Sequence, residues 1–221
     1  MTFPVAEIFR SIAGEGAWAG TPMTFVRLAG CCVGVPYTPA ESRFVALAPY
    51  QVRCVAWDGR RFACDTNFHM KARLTIEQIL ERVVGSKRVC LTGGEPLMHE
   101  GVMALIQELT AICPVHIETS GVRYQPLSLL KPKVYLAVSP KAGCLWSMVK
   151  QADEIKVLVG AEFSEEEFLQ KFQGHIHRVW LQPVNSLATL DMGNVKKCVD
   201  LALRYPEIRV SVQLHKILMC Q

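Results

Sequence analysis

Short apolar runs recur along this chain, each closed by glycine, proline or a brief polar segment. Met23–Leu28, Arg88–Thr92, Val115–Thr119, Val134–Ser139, Ile155–Val159, Val179–Gln182 and Arg209–Gln213 are rich in Val, Ile and Leu and predict strands. Between them the spacing changes to a helical period. Thr75 and Gln78 form a capping-box pattern ahead of a helix over Ile76–Val84, and Gly85 supplies its stop. Ser164 and Glu167 repeat the pattern ahead of Glu165–Phe172. Val102–Ile112 and Val195–Arg204 carry the same 3.6-residue apolar spacing. Strand alternating with helix implies a parallel sheet whose functional residues stand at the carboxyl ends of the strands. Too few strands are present for a closed eight-stranded barrel, so the pattern predicts an open partial barrel. No linker or composition break divides it, and residues 1–221 read as a single domain.

The stretch from Cys31 to Phe68 breaks the alternation and shows no convincing helix, and so long a loop inside a compact domain is usually functional. Pro36–Ala48 reads as an irregular excursion or a short helix, and Gln51–Asp65 as a hairpin with Asp58-Gly59 at its tip. A loop of Asp58-Gly59-Arg60 sets Cys54 directly opposite Cys64, whereas a two-residue loop puts them on opposite faces.

Composition narrows the class. Half of the 221 residues are hydrophobic and 20% are charged, which excludes a disordered chain. A net charge of +4 is too mild and scattered for nucleic-acid binding. No apolar run approaches the ~20 residues of a membrane helix, and the start of the chain lacks a signal-peptide layout, so a cytoplasmic location is expected. The 9 cysteines are the oddity: an odd count without an export signal favours reduced thiols, metal ligands or catalysis over disulfides. Cys90, Cys113 and Cys198 sit in apolar patterns and read as core. Cys31, Cys32, Cys54 and Cys64 do not.

Polar or glycine-rich motifs stand at the strand ends in a fixed order. They are Glu7-Ile8-Phe9 running to Gly14-Glu15-Gly16, then Phe25-Val26-Arg27-Leu28-Ala29-Gly30-Cys31, Cys64-Asp65-Thr66, Thr92-Gly93-Gly94-Glu95-Pro96, Ile117-Glu118-Thr119-Ser120-Gly121, Val138-Ser139-Pro140-Lys141, Leu181-Gln182-Pro183-Val184 and finally His215-Lys216. The set resembles the radical S-adenosylmethionine superfamily and, within it, the 7-carboxy-7-deazaguanine synthase family. The likeness covers nearly the whole chain outside Val33–Ala63.

That resemblance implies an open (β/α)6-type barrel with an extended cluster-binding loop at 31–68. It implies a lyase that turns 6-carboxy-5,6,7,8-tetrahydropterin into 7-carboxy-7-deazaguanine with release of ammonia, a step toward queuosine. It also implies a 4Fe–4S cluster, S-adenosylmethionine, Mg2+, a flavodoxin-like reductant and a homodimer. Three thiolates would hold the cluster and leave one iron for the cofactor. The family assigns Cys31 as the first ligand and Cys64 as the last. The family's second position falls on Arg61, so Cys54 is the nearest thiol, giving Cys-x22-Cys-x9-Cys, with Cys32 the rival. The aromatic residue that usually precedes the last cysteine is replaced by Ala63, with Phe62 one place back.

Carried over in the same way, Ala63, Asp65, Gly94, Glu95, Ser139, Pro140, Lys141, Gln182, Pro183, Val184 and Asn185 fall to S-adenosylmethionine, and Thr66 to Mg2+. Ile12, Ala13, Gly14, Glu15, Arg27, Thr92 and the carboxylate of Gln221 fall to the pterin. Arg27 suits a carboxylated ring because guanidinium binds carboxylate with two parallel bonds, the alternative being a salt bridge to Glu7 or Glu15. Glu118 and His215 are the catalytic candidates. Two competing classes remain: a radical enzyme that activates a protein, and a divergent binding protein that has lost its cluster.

Overall fold

The computed structural model describes residues 1–33, 53–185 and 189–220. Within them the chain forms two compact units, one of residues 1–11 and 22–152, the other of residues 12–21 and 153–221.

The first unit holds strands β1 (Thr2–Ile12), β2 (Pro22–Leu28), β3 (Arg53–Val55), β4 (Arg61–Ala63), β5 (Ala72–Thr75), β6 (Val89–Gly93), β7 (Val115–Thr119) and β8 (Val134–Val138), with helices α1 (Ile76–Val83), α2 (Val102–Ile112) and α3 (Trp146–Gln151). Its main sheet runs β8-β7-β6-β2-β1-β5. The pairs β2–β6, β6–β7 and β7–β8 are parallel, and β1–β5 is antiparallel. Val89, Leu91, Val115, Ile117, Leu136 and Val138 are all fully buried, as strands covered on both faces require. α1 begins on the expected capping box, Thr75 Oγ1 accepting from Gln78 N–H and Gln78 Oε1 from Thr75 N–H at 2.9 Å. It buries Ile79 and Val83 and ends ahead of Gly85, whose φ of +76° is the left-handed turn expected of a stop.

The second unit holds β9 (Glu154–Val159), β10 (Val179–Pro183) and β11 (Arg209–Val210), ordered β11-β10-β9 and parallel, with α4 (Glu165–Phe172), α5 (Met192–Arg204) and α6 (Leu214–Ile217). α5 starts three residues earlier than its apolar spacing predicts because Asp191 accepts from Asn194 N–H at 3.0 Å and caps it there. The predicted strand over Arg209–Gln213 shrinks to Arg209–Val210: beyond it Ser211 N–H still bonds Leu181 O, but the chain then turns into α6.

The sequence pattern does not show β1, β5, α3 or α6, and it gives the hairpin another register. β1 precedes the strand read as first; its outer half pairs only with the short β5, and a mixed sequence with Pro4 hides it. α3 is a short helix without a side-chain cap. The hairpin forms, but in a different register: Cys54 faces Phe62, not Cys64. Its turn spans Trp57-Asp58-Gly59, closed by Ala56 N–H on Arg60 O at 2.8 Å, and Asp58 holds it by accepting from Arg60 N–H and from Arg60 Nε–H. The whole shift equals two residues, so side-chain parity survives and Cys54 stays on the face of Phe62. The excursion expected at Pro36–Ala48 lies outside the described residues, as does the start of the hairpin at Gln51.

Candidate active site

In the first unit the carboxyl ends of β2 and β6 and the hairpin bring three cysteines within electrostatic reach. Cys31 follows β2, Cys54 sits in β3 and Cys64 follows β4, all as free thiols. A charge on Cys54 disfavours one on Cys31, and a charge on Cys64 disfavours one on Cys54. Burial pushes all three thiols up, Cys31 to about 12, while the ammonium of Lys141 draws Cys54 and Cys64 back down. The Cys32 thiol also neighbours Cys31 and shares Glu95 with it, but it is hydrogen-bonded to Arg123. Thr66, the expected Mg2+ ligand, directs its backbone N–H and its hydroxyl to Cys64. Among the described residues no three His, Cys, Asp or Glu side chains are spaced for one metal ion. A cluster makes a different demand, since each thiolate binds its own iron. The donor set therefore fits a cluster.

Lys141 sits where three interactions meet. Its backbone bridges to Ala56 of the hairpin, its Nζ donates to Ser139 Oγ at 2.6 Å, and it stands 5.5 Å from the centroid of the Phe62 ring. The aromatic missing at position 63 is thus present on the thiol face through Phe62, because β4 pairing turns Phe62 toward the side of Cys54 and leaves Ala63 opposite Arg53.

The glycine pair closing β6 is required by the chain's own backbone. A Cβ on Gly93 would collide with Leu28 O, and one on Gly94 would lie 2.6 Å from Cys31 Cβ. Glu95 follows, fully buried, and its carboxylate accepts four hydrogen bonds. Oε1 takes Leu97 N–H at 3.0 Å and the Thr119 hydroxyl at 2.7 Å; Oε2 takes Ser120 N–H at 2.9 Å and the Ser120 hydroxyl. Sequence reading gave Glu95 to the ammonium of S-adenosylmethionine; the structure fills its acceptor positions from Leu97, Thr119 and Ser120.

Strand register gathers the polar candidates of this unit on one face. Arg27 pairs with Thr92, Phe25 with Cys90, Cys90 with His116, and Glu118 with Ala137. Side chains two apart share a face, so Arg27, Thr92 and Glu118 project from the same side of the sheet near its carboxyl edge. Arg27 donates from Nε to Glu7 at 2.8 Å and lies over the Phe9 ring, which stacks on Phe25. Its side chain keeps 21% exposure. Glu118 is reached by a residue that sequence reading passed over: His116 Nε2 stands 2.8 Å from Glu118 Oε1. The i, i+2 spacing in a strand could have signalled this pair.

In the second unit Gly14-Glu15-Gly16 is the organising segment. Glu15 accepts from Lys156 Nζ at 2.8 Å and from the side-chain amides of Gln182 and Gln213 at 3.0 Å each. Flanking contacts explain both glycines. A Cβ on Gly14 would fall inside the His215 ring, and one on Gly16 inside the Glu154 carboxylate. Gly16 N–H donates to Ser211 Oγ and Ala17 N–H to Glu154, both at 2.8 Å. Gly16 also holds φ at +66°. Gly16→Ala should therefore destabilise the fold by roughly 2–4 kcal/mol, the sum of a left-handed Cβ penalty and a displaced buried carboxylate, measurable by thermal unfolding. An unchanged melting temperature would refute the collision.

The backbone of Ala13 is occupied at both ends, its N–H on Thr21 O and its carbonyl under Gly20 N–H, while Gly14 O accepts from Leu214 N–H. Ile12 enters the same loop and is half-buried. Pro183 closes β10, and Val184 N–H bonds Val159 O. Two neighbouring amides there are incomplete: Gln182 Oε1 and Asn185 Nδ2 are buried without a partner. One acceptor and one donor left unmet three residues apart are groups that a polar ligand such as a nucleoside would satisfy. Gln221 lies outside the described residues.

No family model matches the chain. Among curated relatives, the 7-carboxy-7-deazaguanine synthase of Bacteroides thetaiotaomicron is 30% identical over 218 residues, covering 97% of this chain and 96% of its own. That of Synechocystis is 29% identical and covers 99% of this chain and 93% of its own. That of Prochlorococcus marinus is 28% identical and covers 96% of both. In fold, the crystal structure of QueE from Escherichia coli matches with a TM-score of 0.67 over 97% of this chain and 95% of its own, at 24% identity. The open α/β architecture is that of this solved structure, and no described helix is long and apolar enough to cross a membrane. With 30% identity spanning nearly the full length of both chains, the protein belongs to the 7-carboxy-7-deazaguanine synthase family.

Proposed function

We propose that the chain converts 6-carboxy-5,6,7,8-tetrahydropterin to 7-carboxy-7-deazaguanine with release of ammonia, as a radical S-adenosylmethionine carbon–nitrogen lyase. The observation that carries this reading is full-length family membership combined with the electrostatically linked thiols of Cys31, Cys54 and Cys64. When bound, the 4Fe–4S cluster and S-adenosylmethionine supply the 5′-deoxyadenosyl radical that abstracts a substrate hydrogen. Everything else falls to the chain. The three cysteines hold the cluster. Asp65, Ser139-Pro140-Lys141 and the backbone at Gly94 are the first unit's candidates for the cofactor, Glu95 holding that strand end through Leu97, Thr119 and Ser120, with Phe62 on the thiol face in place of the aromatic lost at Ala63. Gln182, Pro183, Val184 and Asn185 are the second unit's candidates, supported by the two unmet amide atoms.

For the pterin, Arg27 offers the two guanidinium amino groups that Glu7 does not engage through Nε, and Thr92 and Glu118 share its face. In the second unit Glu15, His215 and the backbone of Ile12–Gly14 are the candidates, and Gln221 through its carboxylate. Thr66 is the candidate for Mg2+, its hydroxyl oxygen being the hard ligand such an ion favours. A homodimer, a flavodoxin-like reductant, a single-domain organisation and a cytoplasmic setting belong to the same reading.

The test is an anaerobic assay with reconstituted protein, S-adenosylmethionine, Mg2+, a strong reductant and the carboxylated tetrahydropterin. Formation of 7-carboxy-7-deazaguanine with 5′-deoxyadenosine is expected; 5′-deoxyadenosine without the deazapurine would overturn the substrate assignment. Within that assay Arg27→Ala should raise the KM for the pterin about 10-fold or more, since a charge-assisted hydrogen bond is worth roughly 1.5–3 kcal/mol. An unchanged KM would return Arg27 to a purely structural pair with Glu7.

A further inference from the structure

His116 is the unexplained group of the sheet face that carries Arg27, Thr92 and Glu118. It is the second residue of β7, only 2% exposed, and its ring stacks on Tyr135 at 5.2 Å between centroids with 25° between planes. A histidine placed only to fill space would be a poor choice there, because each ring nitrogen must find a partner or go without. Nε2 has one, Glu118 Oε1 at 2.8 Å; Nδ1 is buried with none. A carboxylate oxygen accepts, so Nε2 carries the hydrogen of this bond, and Nδ1 is left without a partner. The ring is thus fixed by Tyr135 on one side and committed to a single hydrogen bond.

That bond runs along the strand toward its carboxyl end. His116 shares its row with Cys90 and Tyr135, while Glu118 stands one step further along, 24% exposed in its side chain. A carboxylate on a two-carbon stem has rotamer freedom that a half-buried position does not fully remove. A donor rigidly held below it narrows that freedom. We propose that His116 is a positioning residue for Glu118, its Nε2–H fixing Oε1 so that the carboxylate meets the pterin in one orientation. This inference rests on the reaction proposed above and adds to it a residue that the strand-end motif does not include.

The test uses the full chain in three arms. His116→Phe keeps the stacking on Tyr135 and removes the donor; His116→Gln keeps a donor of similar reach. With reconstituted enzyme, His116→Phe should lower kcat about 10- to 100-fold with little change in KM, the signature of an interaction that aims a group in the transition state. Cluster content should be unchanged and His116→Gln should recover most of the loss. In a Glu118→Gln background, His116→Phe should cost nothing further, because it acts through the carboxylate. Nitrogen NMR of the ring in unsubstituted protein should show the Nε2–H tautomer. A His116→Phe enzyme as fast as the parent, an undiminished effect in the Glu118→Gln background, or an Nδ1–H tautomer would each overturn the proposal. If the parent makes no deazapurine, the reaction is wrong, and the tautomer still decides whether His116 holds Glu118.

Discussion

Cys54→Ala is expected to leave the protein unable to retain the roughly four irons of a cluster, whereas Cys32→Ala retains them. The expectation follows from which charges each thiol feels. Cys54 is coupled to Cys31 on one side and Cys64 on the other, and Lys141 favours the thiolates of both hairpin cysteines. Cys32 also neighbours Cys31, but its thiol is held by a hydrogen bond with Arg123. Adjacent residues also cannot easily reach separate irons of one cluster. Anaerobic reconstitution followed by an iron count decides it. A Cys54→Ala protein with a full complement of iron, or a Cys32→Ala protein without one, would reverse the assignment.

Glu95→Gln is the second large effect. The buried carboxylate answers four donors, and a carboxamide can accept at only one of its two heavy atoms while its NH2 faces donors that have lost their acceptor. Each buried donor left unmet costs about 1–3 kcal/mol, so the substitution should cost roughly 3–5 kcal/mol, a large share of a typical domain's stability. For a chain of this size the melting temperature should fall on the order of 10 °C. The loss should be present without cluster or cofactor, since the donors are Leu97, Thr119 and Ser120 of the chain itself. A melting temperature within about 2 °C of the parent would mean that the carboxylate does not organise the strand ends, because 2 °C corresponds to at most about 1 kcal/mol.

The alternating apolar runs located the parallel strands from β6 to β10 closely, because a strand buried on both faces must be apolar throughout. The capping residues Thr75 and Ser164 located α1 and α4, because a cap satisfies backbone N–H groups within three residues of itself. β1 was invisible for the converse reason: an 11-residue strand of mixed polarity is decided by the strands it pairs with. The motifs at the strand ends carried the family and the identities of most candidate residues.

Their geometry was not in the motifs. Whether Cys54 faces Cys64 or Phe62 depended on one turn residue, Asp58, and on the hairpin's pairing. That Glu95 binds Thr119 and Ser120, 24 and 25 residues away, depended on β6 and β7 lying side by side. The reason for the two glycines around Glu15 lies in tertiary packing, which sets His215 and Glu154 where their side chains would stand. So the sequence by itself determined the strand and helix pattern and which residues carry chemistry, since both are written in local spacing. Only the tertiary structure decided which of those residues meet, because register and burial are set by partners far along the chain.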